Sequence, residues 1–413
     1  MKPALCLLVL FVACAPDTQP LDAFACGGDV DCPLDRRCTQ GYCTLRNDDV
    51  GDDGAAQDTG EGDEPDEDVG PDAVADDVME DSRADAEDVL SDAVEPDPCQ
   101  GQICGDAPCV AAGGACLTSC AAGWNQSFFT EYMAPPTSDS NAYELPHTDF
   151  VSSVTASIDA VLEGDGPLAE RHASEVRYVL CAADGVAVWR HSMDARGRPR
   201  VALRPTATGV VLEVPHPFFE ARTLDLAREV FEQGSATALV VSGTHRCASD
   251  TESVCTGVTT ACSDDGRGYR LSDPGHTTGS TFHAIHVLLA SRFPEAVVVS
   301  LHGFVDDGVV LSDGIQVDDG LSAITQGPLL ALADALLNEI DEPVLVCRPA
   351  AGHQVTDSKC GTANVQGRHV NGSPDACGIR PAEASSRFVH LTLSTTLRRA
   401  REPLLRAFGQ VFP

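Results

Sequence analysis

The chain has 413 residues, a formal charge of -36, 18 Cys, 36 Gly and 26 Pro, with 43% apolar and 5% aromatic side chains. That length accommodates one large globular domain with appendages and excludes a peptide-sized or wholly disordered protein. Residues 121 to 413 carry 35 acidic and 22 basic side chains with no basic patch, so nucleic acid is not an expected partner.

In chain order, Lys2 precedes an apolar run from Ala4 to Ala13, too short for a mature membrane span and suited to a signal peptide over residues 1–14. Its end, Leu10-Phe11-Val12-Ala13-Cys14, resembles a bacterial lipobox, although Phe11 departs from the usual aliphatic residue there. Two readings stay open: lipidation of Cys14, with the protein anchored at the cell envelope, or plain secretion. The only membrane contact expected is through such an anchor. Setting aside Cys6 and Cys14 leaves 16 cysteines, which in an oxidising compartment favours disulfides. Residues 15–47 form a small Cys-rich module with Cys26, Cys32, Cys38 and Cys43, for which a zinc knuckle is the competing reading. Residues 48–97 hold 22 Asp and Glu against the single Arg83, a composition that cannot offset its ordering entropy and reads as a disordered acidic linker. A second Cys-rich segment covers 98–123. Nine cysteines precede Cys181 and seven run from it onward; both numbers are odd, so full pairing needs a bridge from the N-terminal segments into the large domain, with Cys181 a candidate partner.

From Trp124 to the C-terminus apolar runs alternate with amphipathic stretches. Strands are expected at Val176–Ala182, Val186–Arg190, Val201–Pro205, Gly209–Pro215, Ala238–Gly243, Ala296–Leu301, Pro343–Cys347 and Arg387–Ser394. Helices are expected at Thr223–Gln233, Ser280–Phe293, Gln326–Ile340 and Thr395–Phe408. The alternation predicts an α/β fold over 124–413: a mostly parallel mixed sheet flanked by helices, with the early strands as an antiparallel edge. In such sheets ligands bind beyond the carboxyl ends of the strands.

Two strand ends carry the chemistry. GVVLEVPHPFFEART delivers His216 at a strand tip with Glu220 four residues on, and AVVVSLHGF delivers His302 at another. Two imidazoles and a carboxylate are the set that holds zinc with its fourth position open, as hydrolysis requires; the bland alternative is that each is a packing or capping group. Thr244-His245-Arg246 follows the strand ALVVSG and puts a guanidinium at the same rim, suited to a substrate carboxylate or oxyanion, or else to an ion pair. Asp273 and His276 in SDPGHTTGS are candidate substrate contacts, with capping as the alternative for Asp273. The loop Cys360–Cys377 reads as disulfide-braced, with Asn364 and Arg368 as pocket candidates. His283 and His286, three apart on a helix, share a face and could bind a metal, but read as helix-surface residues because no third ligand is nearby.

The succession PHPFFEART, SGTHR, SDPGHTTGSTF, VSLHG and RFVHLTLSTTLR resembles the zinc carboxypeptidase-like amidohydrolases: the phage poly-γ-glutamate hydrolase type and, more distantly, the N-formylglutamate amidohydrolases. The resemblance covers about residues 205 to 408. It implies zinc ligation by His216, Glu220 and His302, and hydrolysis of a peptide-like, glutamyl or N-acyl amino acid amide. It also implies a catalytic Glu on the C-terminal strand, where this chain has Thr392. A Thr hydroxyl cannot accept a proton at neutral pH, and loss of general acid/base catalysis costs about 100-fold to 10,000-fold. Either another carboxylate substitutes, with Glu383, Asp273 and Asp306 as candidates, or the chain is a catalytically impaired relative that binds a ligand at the cell surface. A third alternative gives partner binding to the Cys-rich modules and leaves the large domain a scaffold. No GxSxG elbow, GxGxxG or Walker loop is present, and oligomeric state has no signature.

Overall fold

A computed structural model describes residues 36–39, 42–45, 109–112, 114–129, 135–191, 197–207, 209–234, 236–262, 266–315 and 323–413. The signal peptide, Cys14 and the acidic linker lie outside the described residues. Of the two Cys-rich segments the structure describes a hairpin in each: β1 (Arg36–Thr39) with β2 (Tyr42–Leu45), and β3 (Cys109–Ala112) with β4 (Ala115–Thr118). Three helices follow, α1 (Trp124–Phe129), α2 (Thr148–Leu162) and α3 (Gly166–Glu175). Then come β5 (Tyr178–Ala183), β6 (Val186–His191), β7 (Gly197–Leu203), β8 (Val210–Val214), α4 (Thr223–Glu232) and β9 (Ala236–Gly243). After the short ladder β10 (Val258–Thr259) and β11 (Arg267–Gly268) stand α5 (Thr281–Arg292), β12 (Val297–Phe304), β13 (Val309–Ser312) and α6 (Pro328–Glu339). The chain closes with β14 (Val344–Val346), β15 (Gln354–Val355), α7 (Val365–Val370), β16 (Phe388–Ser394), α8 (Thr395–Arg399) and α9 (Glu402–Val411).

Ten strands form one mixed sheet in the order β15-β14-β13-β16-β12-β8-β9-β7-β6-β5. Its centre, β16-β12-β8-β9, is parallel, and β7-β6-β5 is the expected antiparallel edge. The antiparallel share is larger than the sequence suggests. β13, outside the expected strands, enters antiparallel to β16, because only a short turn through Gly308 (φ 100°) separates it from β12 and the chain reverses there.

Period-two alternation sorts the strands into two cores. Val210, Leu212 and Val214 face α4, α6 and α9 with Phe231, Leu332 and Phe408, whereas Val211 faces α2 and α5 with Ile158, Ile285 and Leu289. Each such side chain contributes about 1.5–3 kcal/mol on burial. Glu213 falls on the α2/α5 side of this alternation, a carboxylate with no exposure among apolar neighbours.

Two expectations about elements are corrected. Thr395–Phe408 is not one helix: it divides at Ala400–Arg401, with Pro403 at the start of α9, where its ring is tolerated and would not be further in. The Cys360–Cys377 loop contains α7, capped by Asn364, whose Oδ1 accepts from Gly367 N at 2.9 Å. Bridges join Cys120–Cys181, Cys247–Cys262, Cys255–Cys377 and Cys347–Cys360. Cys181 thus takes its partner from the N-terminal side, and the Cys360–Cys377 loop is braced at both ends to other segments.

Candidate metal centre

Parallel pairing of β8 with β12 brings their carboxyl ends to one edge of the sheet. Beyond β8 the chain turns tightly at Pro215-His216-Pro217: the amides of Phe219 and Glu220 donate to His216 O at 3.1 and 2.9 Å. This folds Glu220 back onto its neighbour, and His216 Nδ1 lies 2.8 Å from Glu220 Oε1. From the tip of β12, His302 Nδ1 lies 3.4 Å from the same carboxylate, while Gly303 N donates to Glu220 Oε2 at 3.0 Å. The three side chains are buried and offer ligand atoms within 4.8 Å of one another. A zinc ion binding at 2.0–2.1 Å in tetrahedral geometry spaces its ligand atoms about 3.3 Å apart; here Glu220 Oε1 lies 2.8 Å from His216 Nδ1 and 3.4 Å from His302 Nδ1.

The proton count favours a cation. His216 Nε2 lies 2.8 Å from Asp273 Oδ1, so both ring nitrogens of His216 face carboxylates. A neutral imidazole donates only one hydrogen bond. With that proton on Nε2, the Nδ1 lone pair points at Glu220 and requires either a second proton or a metal ion between them. Without metal the proton is favoured: burial and Arg246 depress the His216 pKa, but Asp273 and Glu220 outweigh them and raise it. Burial alone would raise the Glu220 carboxyl, yet His216 and His302 hold it well below the usual range. His302 itself is lowered by burial, partly opposed by Glu220.

Asp273 organises the flank. It caps the 3₁₀ turn Pro274–His276, accepting from Gly275 N at 3.2 Å, and approaches His276 Nδ1 at 3.0 Å. Arg246 donates to its Oδ2 from Nε at 3.1 Å and from Nη2 at 2.6 Å. Burial would raise the Asp273 carboxyl, but Arg246 and His276 hold it well below its ordinary value. His216, Asp273 and His276 make a second group of possible ligands sharing His216. The paired donors that the sequence assigns to a substrate carboxylate are therefore engaged by Asp273, and Arg246 Nη1 stands 3.8 Å from Glu220.

The remaining sequence candidates separate. His276 stacks on Tyr269 at 3.7 Å and burial lowers its pKa. His245 is buried beside Phe219, its Nδ1 accepting from Cys247 N at 3.2 Å. Asn364 does approach the centre: a methyl group on Gly275 would lie 3.5 Å from His216 Nε2 and 3.6 Å from Asn364 Nδ2. That amide nitrogen is buried without a partner. Arg368 donates to Thr362 O at 2.9 Å and Cys377 O at 3.0 Å, bracing its own loop.

Thr392 pairs in register with His302 across β12 and β16. Its hydroxyl lies 3.2 Å from His390 Nδ1. His390 is the residue that sequence reasoning missed; its ring stacks on His302 at 4.1 Å, and burial followed by His302 pushes its pKa well below normal. Its position two residues before Thr392, hence on the same strand face, is the signal that identifies it. None of the three candidate substitutes for the missing Glu is free at the centre: Asp273 is fully engaged, Asp306 pairs with Lys359 at 3.2 Å, and Glu383 is exposed. His283 and His286, expected at a helix surface, are buried: His286 reaches Glu213 of β8 at 2.7 Å, and His369 of α7 packs against both rings.

No protein-family model matches the chain, and no curated protein does. Among solved structures, a bacteriophage poly-gamma-glutamate hydrolase is similar at 15% identity and TM-score 0.28, over 52% of this chain and 86% of that one. A "putative metallopeptidase" from Shewanella denitrificans OS217 is similar at 13% identity and TM-score 0.27, over 63% and 87%. Likeness this slight carries no weight beside the side-chain geometry.

Proposed function

We propose that the domain is a zinc-dependent amide hydrolase acting on a peptide-like substrate of the glutamyl or N-acyl amino acid type. The observation that carries this reading is the convergence of His216, Glu220 and His302 on one buried point, with His216 Nδ1 left facing Glu220 by the engagement of its Nε2. Zinc bound there would supply Lewis-acid polarisation of a substrate carbonyl and acidify water. The chain's own groups do the rest. Asp273 fixes the tautomer and orientation of His216, and Arg246 locks Asp273 and keeps positive charge beside the centre, where an oxyanion develops. The reading extends to export and to anchoring through Cys14, both carried by the N-terminal sequence.

Thr392 favours a second reading, a catalytically impaired relative acting as a cell-surface binding protein, since it stands in register with His302, its hydroxyl against His390, where a proton acceptor is needed. One experiment separates them. The purified protein is expected to bind zinc, with one equivalent lost in His216→Ala, and to hydrolyse γ-glutamyl or N-acyl amino acid amides slowly. Thr392→Glu is expected to raise turnover about 100-fold or more. Zinc binding without turnover in either form supports the binding protein; retention of all bound zinc by His216→Ala sinks both.

A further inference from the structure

His302 meets a polar group at each ring nitrogen, and only one of the two is a carboxylate. Its Nδ1 stands 3.4 Å from each oxygen of Glu220, while its Nε2 lies 3.0 Å from the hydroxyl of Ser300. Ser300 precedes it by two residues on β12, so the alternation of the strand turns both side chains to the face that α5 covers, where Ser300 is buried. Register sets the neighbours of Ser300: Glu213 beside it on β8 and His390 on β16. His390 Nδ1 is engaged by Thr392 at 3.2 Å. Glu213 is fully buried; its Oε1 lies 2.7 Å from His286 Nδ1, and its Oε2 has no hydrogen-bond partner.

A neutral imidazole carries one N–H, so two arrangements are open to His302. With the proton on Nδ1 the ring donates to Glu220, and Ser300 donates to Nε2. With the proton on Nε2 the ring donates to Ser300, and the Nδ1 lone pair is turned to a metal ion shared with His216 and Glu220. Passing from the first to the second reverses the Ser300–His302 hydrogen bond. A hydroxyl, donor and acceptor at once, keeps Nε2 paired in both arrangements; an ionised carboxylate in its place would only accept, as Asp273 does from His216, and a backbone amide would only donate. The reversal also leaves the hydroxyl hydrogen of Ser300 to turn away from His302. Glu213, one strand spacing of about 4.8 Å away on the same face, supplies the negative charge that draws it.

Resting on the ligand set of the hydrolase reading, we propose that Ser300 is a positioning residue of the metal centre: its hydroxyl reverses its hydrogen bond to His302 when a zinc-class ion binds, and Glu213 stabilises the reversed state. In a competition titration of the full oxidised protein against a chelator, Ser300→Ala is expected to bind zinc about 10- to 100-fold more weakly than the wild type. Ser300→Thr, which keeps a hydroxyl and suits a strand, is expected to bind it nearly as well as the wild type. Glu213→Gln is expected to weaken zinc binding in the wild-type background and to add nothing in Ser300→Ala, because it acts through that hydroxyl. In histidine-labelled wild type, nitrogen NMR should find the His302 proton on Nδ1 without zinc and on Nε2 with it. Unchanged zinc affinity in Ser300→Ala, equal losses from Glu213→Gln in both backgrounds, or a His302 proton that stays on Nδ1 in zinc-loaded protein overturns the proposal. If Ser300→Ala binds zinc as the wild type does while His216→Ala loses it, the hydrolase reading stands without this role for Ser300. If Ser300→Ala weakens zinc and no amide is turned over, the role stands and the hydrolase reading fails. A wild type that binds no zinc refutes both.

Discussion

Asp273 shows how much one buried carboxylate decides. It receives His216 Nε2, the Arg246 fork, His276 Nδ1 and the Gly275 amide within 3.2 Å. If its function is to hold His216 in the tautomer that offers Nδ1, Asp273→Asn should lower zinc affinity about 10- to 100-fold in a competition titration against a chelator. The same change leaves the Arg246 charge buried beside a neutral amide, a loss of roughly 3–5 kcal/mol in denaturant unfolding. Unaltered zinc affinity with lowered stability would reduce Asp273 to a turn cap. A capping role was expected of Asp273, but for the helix after the loop, which Ser280 caps instead; its reach to His216 and Arg246 was not legible, because those partners lie 57 and 27 residues away.

α5 carries His283 and His286 between the sheet and α7. Its N-cap is Ser280, whose Oγ accepts from His283 N at 3.1 Å. Ser280→Ala should cost about 1 kcal/mol in urea unfolding. A larger loss would indicate that the cap also positions His283. Phe282, Ile285, His286 and Leu289 meet the sheet, where His286 reaches Glu213 of β8, and His283 and His286 border α7. Periodicity identifies the sheet-facing side. By the same pattern His286 belongs to that side and only His283 lies off it; the segment that covers His283, six residues of a Gly- and Asn-rich loop, has too little helical pattern to be read as a helix.

At the scale of the whole molecule, the bridges divide by what they hold. Cys120–Cys181 fastens the segment before α1 to β5 at the antiparallel edge of the sheet, with β9, β7 and β6 between it and β8. Replacing both cysteines by Ser should cost about 2–5 kcal/mol, read as a lower Tm, with zinc affinity unchanged. Cys255–Cys377 instead ties the loop after β9 to the loop that follows α7, on whose N-cap Asn364 approaches His216. Removing it should lower both stability and zinc affinity. Equal effects on zinc from the two bridges would contradict this division.

The chain's local patterning was enough to place the strands that lead to His216 and His302, the turn at Pro215-His216-Pro217, the starts of α4, α5 and α8 and the acidic excess, because each depends on neighbours within a turn or two of backbone; α1, α2 and α3 were not among the expected helices. Which imidazole nitrogen faces the carboxylate, the insertion of β13, the stacking of His390 on His302 and the joining of Glu213, His283, His286 and His369 were settled by strand order and by α7 closing over α5. Those contacts bring together residues as many as 88 positions apart, and no periodicity in a sequence records a pairing at that range.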